Sequence, residues 1–376
     1  MIYLYRILYF FAKITALALK PFLPDHLQAW VQLRRQPQGP LNKITSPYWF
    51  HAASGEIEYC KSVIRLLKEK QPECKIVLSY TSTSAEKLFH NIKNEVDLFI
   101  PLCWDQPKAV KRLLDYLNPK MLIFSRTDLW PELIYQTKKR KIPMGLISAL
   151  PRDSFFTNYL RRQMNFISSV DQDGDTRFDQ VFFRLSHGTK ITLEAEQLFV
   201  CGSTWPEDEE VLFQIFPKLI EKNIKIVLSP HDVSEKNIER LSQELKQRLF
   251  TFQLLSFHAE LSRNILLIDR IGFLADTYRT ADFAFVGGSY KDKIHSVMEA
   301  LCCGVPVITG PYFRNNPEAV MYQNKFVFPT ESPDEVLAAI QKCLKIDKNE
   351  IKNEMRKNLN ASQKVLELIL HTAQET

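Results

Sequence analysis

The strongest constraint on the fold is a regular alternation between short apolar runs and longer segments with helical periodicity. The apolar runs are "YWFHAA", "KIVLSYT", "MLIFS", "MGLIS", "LFVCGS", "IKIVLSP", "ILLID", "FAFVGG" and "VPVITG". Strands that alternate with crossover helices form parallel sheets. A chain of 376 residues is long enough for two such sheets, each in its own domain. The sequence therefore predicts an α/β protein with two doubly wound, Rossmann-like domains facing a cleft.

The polar stretch from Arg184 to Gln197 interrupts this alternation and marks the predicted domain boundary. We place an N-terminal domain at 23–188 and a C-terminal domain, which includes the last helices, at 189–376. Doubly wound folds bind their ligands at the carboxyl ends of the strands. The loops that follow the strands are therefore where we expect the functional residues.

The first 22 residues differ from both domains. They are apolar and aromatic but carry Arg6, Lys13 and Lys20 at a spacing of seven residues. Seven residues are about two helical turns, so the three cations share one face of a helix. This pattern predicts an uncleaved helix, 1–22, that lies at the cytoplasmic surface of a membrane with its basic side chains at the headgroups. An amphipathic helix packed on a domain would have the same pattern.

The distribution of charge and the spacing of the cysteines indicate what kind of partner and what redox compartment suit the chain. Residues up to 190 contain 28 Lys and Arg against 17 Asp and Glu, whereas the rest contains 21 against 26. Basic clusters at Arg34 and Arg35, at Lys138 to Lys141, and at Arg161 and Arg162 predict that the first part faces an anionic partner, unless they are only solvated surface. Seven scattered cysteines without a C-x-x-C pair favour a reducing compartment over disulfides or a zinc site.

A carboxylate follows the first predicted strand, in "FHAASGEIEY". Ser54 and Gly55 form the turn, and the apolar stripe from Cys60 to Leu67 predicts the next helix. Glu56 thus falls in the first helical turn. There the helix dipole favours the anion and predicts a base that is ionised at neutral pH and aimed into the cleft. Acidic residues also occur in first turns only to complement the dipole.

A second motif is "FAFVGGSYKDKIHSVMEALCCGVPVITGP". Its strand runs into Gly287, Gly288 and Ser289, and a predicted helix with His295 and Glu299 follows. Glycines before a helix N-terminus leave backbone N–H groups free for an anion, which predicts a nucleotide phosphate there. Glu299 can accept hydrogen bonds from ribose hydroxyls, or be a helix carboxylate without a ligand. The spacing is not G-x-G-x-x-G, which argues against a dehydrogenase, and His295 with Glu299 makes only two potential metal ligands.

The order of these motifs resembles that of the Kdo transferases, the 3-deoxy-D-manno-octulosonic acid transferases of lipopolysaccharide synthesis. The matching pieces are "FHAASGEIEY", "PLCWDQPKAV", "TDLWPELI", "GDTRFDQV", "CGSTWPEDEEVL", "SPHD", the glycine motif and "NNPEA". The resemblance implies a GT-B fold whose first domain binds the acceptor and whose second binds CMP-Kdo. It implies an inverting transfer of Kdo to a lipid A precursor at the cytoplasmic face of the inner membrane, without a metal, a cofactor or a nucleic-acid partner.

The resemblance also implies roles for individual residues. Glu56 is the catalytic general base on the acceptor hydroxyl. The implied acceptor-binding residues are Ser54, Gly55 and Asp128. The implied donor-binding residues are Ser203, His231, Gly287, Gly288, Ser289, His295, Ser296 and Glu299.

The chain departs from the family pattern in the acceptor domain. Ser54, Gly55 and Glu56 are contiguous, where the family has a residue between Ser and Gly. Arg126 replaces a usual acidic residue and Leu150 a usual Arg, and only "FISSVDQ" stands where the family has an additional helix and strand. Two alternatives therefore remain. One is a catalytically impaired GT-B paralogue that binds a nucleotide sugar or lipid at the membrane, and the other is a GT-B transferase with another donor.

Overall fold

The computed structural model describes residues 2–34, 44–151, 154–187, 193–256 and 261–375. The chain forms two compact units, one of Met1–Gln180 with Asn358–Thr376 and the other of Val181–Lys357. Each unit contains one sheet in which every strand pair is parallel. The prediction of two Rossmann-like α/β domains is confirmed.

The helices and strands up to the change of unit are the following. They are α1 (Ile2–Ala18), a 3-10 turn (Lys20–Phe22), α2 (Asp25–Leu33), β1 (Tyr48–His51), a 3-10 turn (Ser54–Glu56), α3 (Ile57–Lys70), β2 (Ile76–Tyr80), a 3-10 segment (Thr83–Asn91), β3 (Leu98–Pro101), α4 (Pro107–Leu117), β4 (Met121–Ser125), α5 (Pro131–Lys139), β5 (Met144–Ala149), α6 (Phe155–Arg161), β6 (Phe166–Ser169), α7 (Val170–Asp173) and α8 (Thr176–His187).

The remaining elements follow in chain order. They are β7 (Gln197–Thr204), α9 (Pro206–Glu221), β8 (Ile224–Pro230), α10 (Glu235–Gln247), β9 (Phe252–Leu254), β10 (Ile265–Leu267), α11 (Leu274–Thr277), β11 (Phe283–Val286), α12 (Met298–Cys302), β12 (Val307–Thr309), α13 (Pro317–Met321), β13 (Val327–Pro329), α14 (Pro333–Cys343), α15 (Lys348–Arg356) and α16 (Ala361–Gln374).

The sheet of the first unit has the order β3-β2-β1-β4-β5-β6. Phe50 of β1 pairs with Leu78 of β2 on one side and with Ile123 of β4 on the other. The strand order therefore reverses between β1 and β4. The loops that leave two such strands diverge and open a crevice at their carboxyl ends. Glu56 follows β1 and Asp128 follows β4, so both lie at this switch point.

Side chains alternate across the first sheet because successive strand residues point to opposite faces. Tyr48 and Phe50 pack in one core cluster with α3 and α16, whereas Trp49 packs in another with α4 and α5. Both faces are thus apolar, which is why the strands read as continuous apolar runs. Val365 and Ile369 of α16 are fully buried against α3.

The sheet of the second unit has the order β13-β12-β11-β7-β8-β10-β9. Cys201 of β7 pairs with Leu228 of β8 and with Phe285 of β11. The order reverses between β7 and β11, so this unit has its switch point there. The loops after β7 and β11 carry the motifs "STWPED" and "GGSYKD".

The predicted domain limits differ from the two units. Residues 188–192, which include the predicted boundary, lie outside the described residues, as does Arg35 of the first basic cluster. The change of unit falls at Gln180, inside α8, and the last helix belongs to the first unit instead of the C-terminal domain. A polar stretch marks an exposed loop, and the periodicity of a helix does not identify the sheet on which it packs. Sequence pattern alone therefore misassigned both features.

The first helix is docked on the first unit by its cations. Arg6 forms a two-pronged ion pair with Glu132, at 2.7 and 2.9 Å, and the Glu132 side chain is fully buried. Lys13 donates to Gln106 at 2.6 Å, and Lys20, just beyond the helix, donates to Gln32. Protein side chains thus accept hydrogen bonds from the three cations that we expected at lipid headgroups, and the contact of this helix with a membrane stays a prediction.

Tyr5 and Tyr9 of α1 contact the first unit at Asp105, whereas most other apolar residues of the helix are exposed, and no residue of the helix is fully buried. The most exposed are Tyr3, Leu4, Leu8 and Phe11, each between 61% and 70% accessible. The alternative of an amphipathic helix packed on a domain is thus supported at Tyr5 and at Tyr9, which also contacts Trp104 and Trp130, but not for these exposed side chains. Within the described residues, no helix combines the length and apolar character needed to traverse a bilayer.

Candidate active site

Glu56 ends the 3-10 turn after β1 and occupies the N-cap position of α3, one residue before the predicted first helical turn, without a capping hydrogen bond from its side chain. Its Oε1 accepts a hydrogen bond of 2.5 Å from the hydroxyl of Thr127, in the loop after β4. Its Oε2 is buried and has no hydrogen-bond partner among the described residues. One oxygen of the carboxylate is thus held in place while the other is left to accept a proton.

The pKa of Glu56 is raised above its ordinary value, and burial is the main cause. The hydrogen bond from Thr127 acts in the opposite direction, the charge of Asp128 raises the pKa further, and the charge of Arg126 lowers it. Burial thus acts against the preference of the helix dipole for the anion, and the ionisation of Glu56 at neutral pH stays a prediction. A raised pKa makes the ionised carboxylate a stronger base.

Asp128 belongs to a hydrogen-bonded network that joins three strand ends. Its Oδ2 accepts hydrogen bonds of 3.1 Å from Nε2 of His51 and from the hydroxyl of Thr81. Burial alone would raise the pKa of Asp128, but the bonds from His51 and Thr81 more than compensate and lower it. His51 is fully buried, and its Nδ1 lies 2.7 Å from the hydroxyl of Ser79. Asp128 is thus held as a fixed anion near Glu56.

The turn before Glu56 borders an open space beside Gly55. A Cβ placed on Gly55 would meet no atom within 4 Å, so the space beside this residue is open. The Ser54 hydroxyl lies 2.7 Å from that of Ser84, in the 3-10 segment after β2. The predicted acceptor residues Ser54, Gly55 and Asp128 therefore surround Glu56 in the first unit.

The backbone N–H groups of Gly287 and Gly288, which we expected to be free for a phosphate, are hydrogen-bonded within the second unit. The carboxylate of Asp208 accepts from the backbone N–H of Gly288 at 2.7 Å and of Tyr290 at 2.9 Å. Gly287 N–H donates to the carbonyl of Gly202 at 2.8 Å, and the buried Ser289 hydroxyl donates to Val286. The backbone N–H groups of Gly287, Gly288 and Tyr290 are thus occupied within the protein.

The helix predicted directly after the glycines is also displaced. The chain runs without regular structure until α12, which begins at Met298, so His295 and Ser296 precede it and Glu299 lies in its first turn. The glycines are needed for packing. A Cβ on Gly287 would lie 2.6 Å from Cα of Thr204, and Gly288 has φ of +81°.

Three aromatic rings come together at this switch point. His231 stacks on Trp205, with ring centroids 4.8 Å apart, and on His295, at 4.3 Å. Nε1 of Trp205 donates a 3.0 Å hydrogen bond to Nε2 of His295. The ammonium of Lys291 lies 3.6 Å from the centre of the Trp205 ring. The structure thus brings the predicted residues His231 and His295 together, and adds Trp205 and Lys291.

The bond from Trp205 fixes the form of His295. The indole N–H can only donate, so Nε2 of His295 is an acceptor and a neutral ring carries its proton on Nδ1. Burial, with the charges of His231 and Lys293, lowers the pKa of His295 to about 4. At neutral pH, His295 is therefore an uncharged side chain with an N–H donor on Nδ1.

The other predicted donor residues have different surroundings. Glu299 pairs with Arg184 of α8 at 2.6 Å. The Ser296 hydroxyl is buried without a partner among the described residues. Ser203 has φ of +54° where the pairing of β7 with β8 shifts register. Glu299 is thus a carboxylate already compensated by a cation, whereas Ser296 keeps its hydrogen-bonding capacity.

Sequence reasoning missed several residues that organise the two sites. They are Thr127, His51, Thr81, Trp205, Asp208, Arg184 and Lys291. Thr127 lies in "TDLWPELI", next to the predicted acceptor residue Asp128. Trp205 and Asp208 lie in "CGSTWPEDEEVL", close to the predicted donor residue Ser203. Thr127 and Trp205 lie in loops directly after switch-point strands and Asp208 lies in the first turn of the helix that follows, and this position was the available signal.

Comparison with known proteins agrees with this geometry. The family model described as 3-Deoxy-D-manno-octulosonic-acid transferase (kdotransferase) matches residues 27–202, and that of Glycosyl transferases group 1 matches residues 210–362. A 3-deoxy-D-manno-octulosonic acid transferase of Aquifex aeolicus is 29% identical over 345 residues, covering 87% of this chain and 94% of that protein. The transferase of Chlamydophila psittaci is 27% identical, covering 72% of this chain and 70% of that protein.

Comparison with solved structures provides evidence on the fold of the chain. A putative UDP-N-acetylglucosamine 2-epimerase from Listeria monocytogenes matches with a TM-score of 0.55 and 14% identity, covering 89% of this chain and 98% of that one. At this identity the likeness concerns the fold alone, two parallel-sheet α/β domains as in GT-B glycosyltransferases. The first half of the chain thus matches the Kdo transferase model and the second half the group 1 glycosyl transferase model, and the chain is similar to Kdo transferases over most of its length.

Proposed function

We propose that this protein transfers Kdo from CMP-Kdo to a lipid A precursor in lipopolysaccharide synthesis, with inversion and without a metal. Glu56 is the general base in this proposal. The observation that carries it is the buried Oε2 of Glu56, which has no partner among the described residues while Thr127 holds Oε1. A structural carboxylate would be expected to engage both oxygens when buried.

The reaction is a single displacement. Oε2 of Glu56 takes the proton of an acceptor hydroxyl, and the hydroxyl oxygen bonds to the anomeric carbon of Kdo. The bond from that carbon to the phosphate of CMP breaks, and CMP leaves with the electron pair. Attack from the side opposite to CMP inverts the configuration. Asp128 supports this step, because its negative charge raises the proton affinity of Glu56.

In this proposal, side chains of the second unit bind CMP-Kdo, in place of the backbone N–H groups of the glycines. Neutral His295 offers Nδ1–H and Ser296 a hydroxyl to the phosphate or carboxylate of CMP-Kdo. Lys291, above the Trp205 ring, adds positive charge for the leaving phosphate. Glu299 remains the candidate for the ribose hydroxyls, and it must share its carboxylate between them and Arg184.

We also propose that the protein binds the cytoplasmic face of the inner membrane through α1. The support is the apolar side of this helix, which carries Tyr3, Leu4, Leu8 and Phe11 in exposed positions. A contiguous exposed apolar surface of this kind is typical of membrane or partner contact. Docking by Arg6 and Lys13 holds the opposite side of the helix on the first unit.

The test is to incubate the purified protein with CMP-Kdo and a tetra-acylated lipid A precursor and to analyse the lipid by mass spectrometry. The expected result is an increase in mass by one or more Kdo residues, which is lost in Glu56→Gln. CMP binding without any transfer, in wild type as in the variant, would favour the impaired paralogue instead. Transfer from another nucleotide sugar only would contradict the assigned donor.

A further inference from the structure

Two arginines flank one tyrosine next to Glu56. The guanidinium of Arg126 lies 4.5 Å from the centre of the Tyr59 ring, and that of Arg177 lies 5.8 Å from it. Tyr59 is on α3, three residues after Glu56 and therefore on the same side of the helix. Arg126 directly precedes Thr127, the residue that bonds Glu56. The cations are thus part of the surroundings of the proposed base.

Neither arginine has an acidic partner within the part of the chain that the structure describes. Other arginines do: Arg65, Arg184 and Arg240 each lie within 3.7 Å of a carboxylate oxygen. Arg126 and Arg177 are only half-buried, yet a single aromatic ring is their common contact. A cation–π contact leaves the in-plane N–H groups of a guanidinium available for a second partner.

The backbone directs Arg126 to this place. It has φ of +55°, a left-handed conformation that is uncommon outside glycine and asparagine. The conformation is fixed by a hydrogen bond of 2.9 Å from Arg126 N–H to the carbonyl of Ile147 in β5. The space beside Gly55, next to Glu56, is open to a ligand.

We propose that Arg126 and Arg177 form an anion subsite that holds an acidic group of the acceptor, a phosphate or a sugar carboxylate, close to the hydroxyl that Glu56 deprotonates. The proposal rests on the proposed function and specifies its substrate class. Guanidinium groups bind both kinds of anion through paired N–H donors. An acidic residue at position 126, which the family pattern leads one to expect, would repel such an anion, so Arg126 selects for it.

The first experiment measures transfer with three acceptors: the bisphosphorylated tetra-acylated precursor, the same lipid without its phosphate on the non-reducing sugar, and the precursor that already carries one Kdo. Arg126→Gln and Arg177→Gln are expected to raise KM roughly 10- to 100-fold for the acceptor whose anion they hold. Arg126→Lys should restore part of the affinity. The matched control is Arg112→Gln, an exposed arginine on α4.

The three acceptors identify the source of the anion. If removal of the phosphate abolishes the difference between wild type and Arg126→Gln, the anion is that phosphate. If the difference appears only with the Kdo-bearing acceptor, the anion is the Kdo carboxylate. An equal change in KM for every acceptor, or no change for any, would overturn the subsite.

A second measurement separates this inference from the proposed function. Glucosamine 6-phosphate, free Kdo and N-acetylglucosamine are titrated into the wild-type protein and into Arg126→Gln by calorimetry. The wild type is expected to prefer at least one anionic sugar to the neutral one by 10-fold or more, and Arg126→Gln to lose that preference. If transfer fails but the preference is present, the function is wrong and the subsite stands. Equal affinity for anionic and neutral sugars refutes the subsite whatever the transfer assay gives.

Discussion

Thr127 donates a hydrogen bond of 2.5 Å to Oε1 of Glu56, and this bond determines which oxygen of the carboxylate is available. The two residues lie in loops after neighbouring strands, β1 and β4, at the point where the strand order reverses. A carboxylate fixed through one oxygen presents the other in a defined direction. The contact therefore orients the base without neutralising it.

Replacement of Glu56 by Gln tests the base. Gln keeps the size of the side chain and the contact with Thr127 but cannot accept a proton, so turnover should fall by roughly 10² to 10⁴. CMP affinity and the melting temperature should remain close to wild type, because the substitution leaves the second unit unchanged. Steady-state kinetics and calorimetry provide the measurements.

The matched control for this variant is Glu69→Gln, which removes an exposed carboxylate near the end of α3. It should retain wild-type turnover. Substantial activity in Glu56→Gln would assign the base to another carboxylate, with Asp128 as the next to be tested.

Removal of the Thr127 hydroxyl should change the pH dependence of turnover. A base works only when ionised, so activity is lost as the pH falls through the pKa of Glu56. The bond from Thr127 lowers that pKa against the rise caused by burial. Thr127→Val removes the bond, so the pKa rises and the acid limb of the profile moves to higher pH. Thr127→Ser keeps the hydroxyl and should retain the wild-type limb, and identical profiles for Val and Ser would contradict the role of the bond.

Trp205 should affect nucleotide binding through His295. Trp205→Phe keeps an aromatic ring beside His231 but removes the N–H that holds Nε2 of His295. Loss of one hydrogen bond that orients a ligand-binding ring should weaken CMP roughly 3- to 10-fold. Calorimetric titration of CMP into Trp205→Phe and into the control Trp30→Phe, in the first unit, measures this. Unchanged CMP affinity in Trp205→Phe would show that His295 does not depend on the indole.

The strands that the sequence predicted lie inside the two sheets, and the strands that it missed lie at their edges. All nine apolar runs form strands, and the four missed strands, β3, β6, β9 and β13, are the edges of the two sheets. An edge strand has a neighbour on one side only and is less completely covered, so it is short and less uniformly apolar. In β3 the burial of successive residues is mostly partial, whereas every residue of β2 is buried. The apolar pattern thus identified the sheet interiors and not their borders.

The candidate site was predictable where its residues lie together in the sequence, as in Ser54, Gly55 and Glu56. The partners of the glycine loop could not be predicted, because Asp208 bonds Gly288 across 80 residues of chain. A pattern of glycines indicates a tight turn but does not reveal whether a buried carboxylate or a ligand will accept its N–H groups. The same limit applies to Arg184 and Glu299, whose pairing no local spacing indicates.

The ion pair between Arg6 and Glu132 should contribute to stability. Arg6→Ala leaves a fully buried carboxylate for which Gln136, at 2.7 Å, is the remaining side-chain donor among the residues that the structure describes. Loss of one partner of a buried pair should reduce the free energy of unfolding by about 3 kcal/mol. Urea unfolding measures the loss, and the control Lys20→Ala removes an exposed hydrogen bond and should have little effect. Recovery of stability in the double variant Arg6→Ala, Glu132→Gln would confirm that the unpaired charge is the cause.

The exposed side of α1 should be necessary for membrane binding. Phe11 is 61% accessible and lies on the side of the helix away from its docking contacts, so Phe11→Glu should leave the fold intact. A carboxylate at this position would have to enter an anionic interface, and sedimentation with vesicles containing anionic lipid should fall by 10-fold or more. The matched control is Ile271→Glu, an equally drastic change at a residue of the second unit that is 82% accessible. If Phe11→Glu sediments with vesicles as strongly as Ile271→Glu and wild type, α1 is not the membrane contact and its apolar side must bind a protein instead.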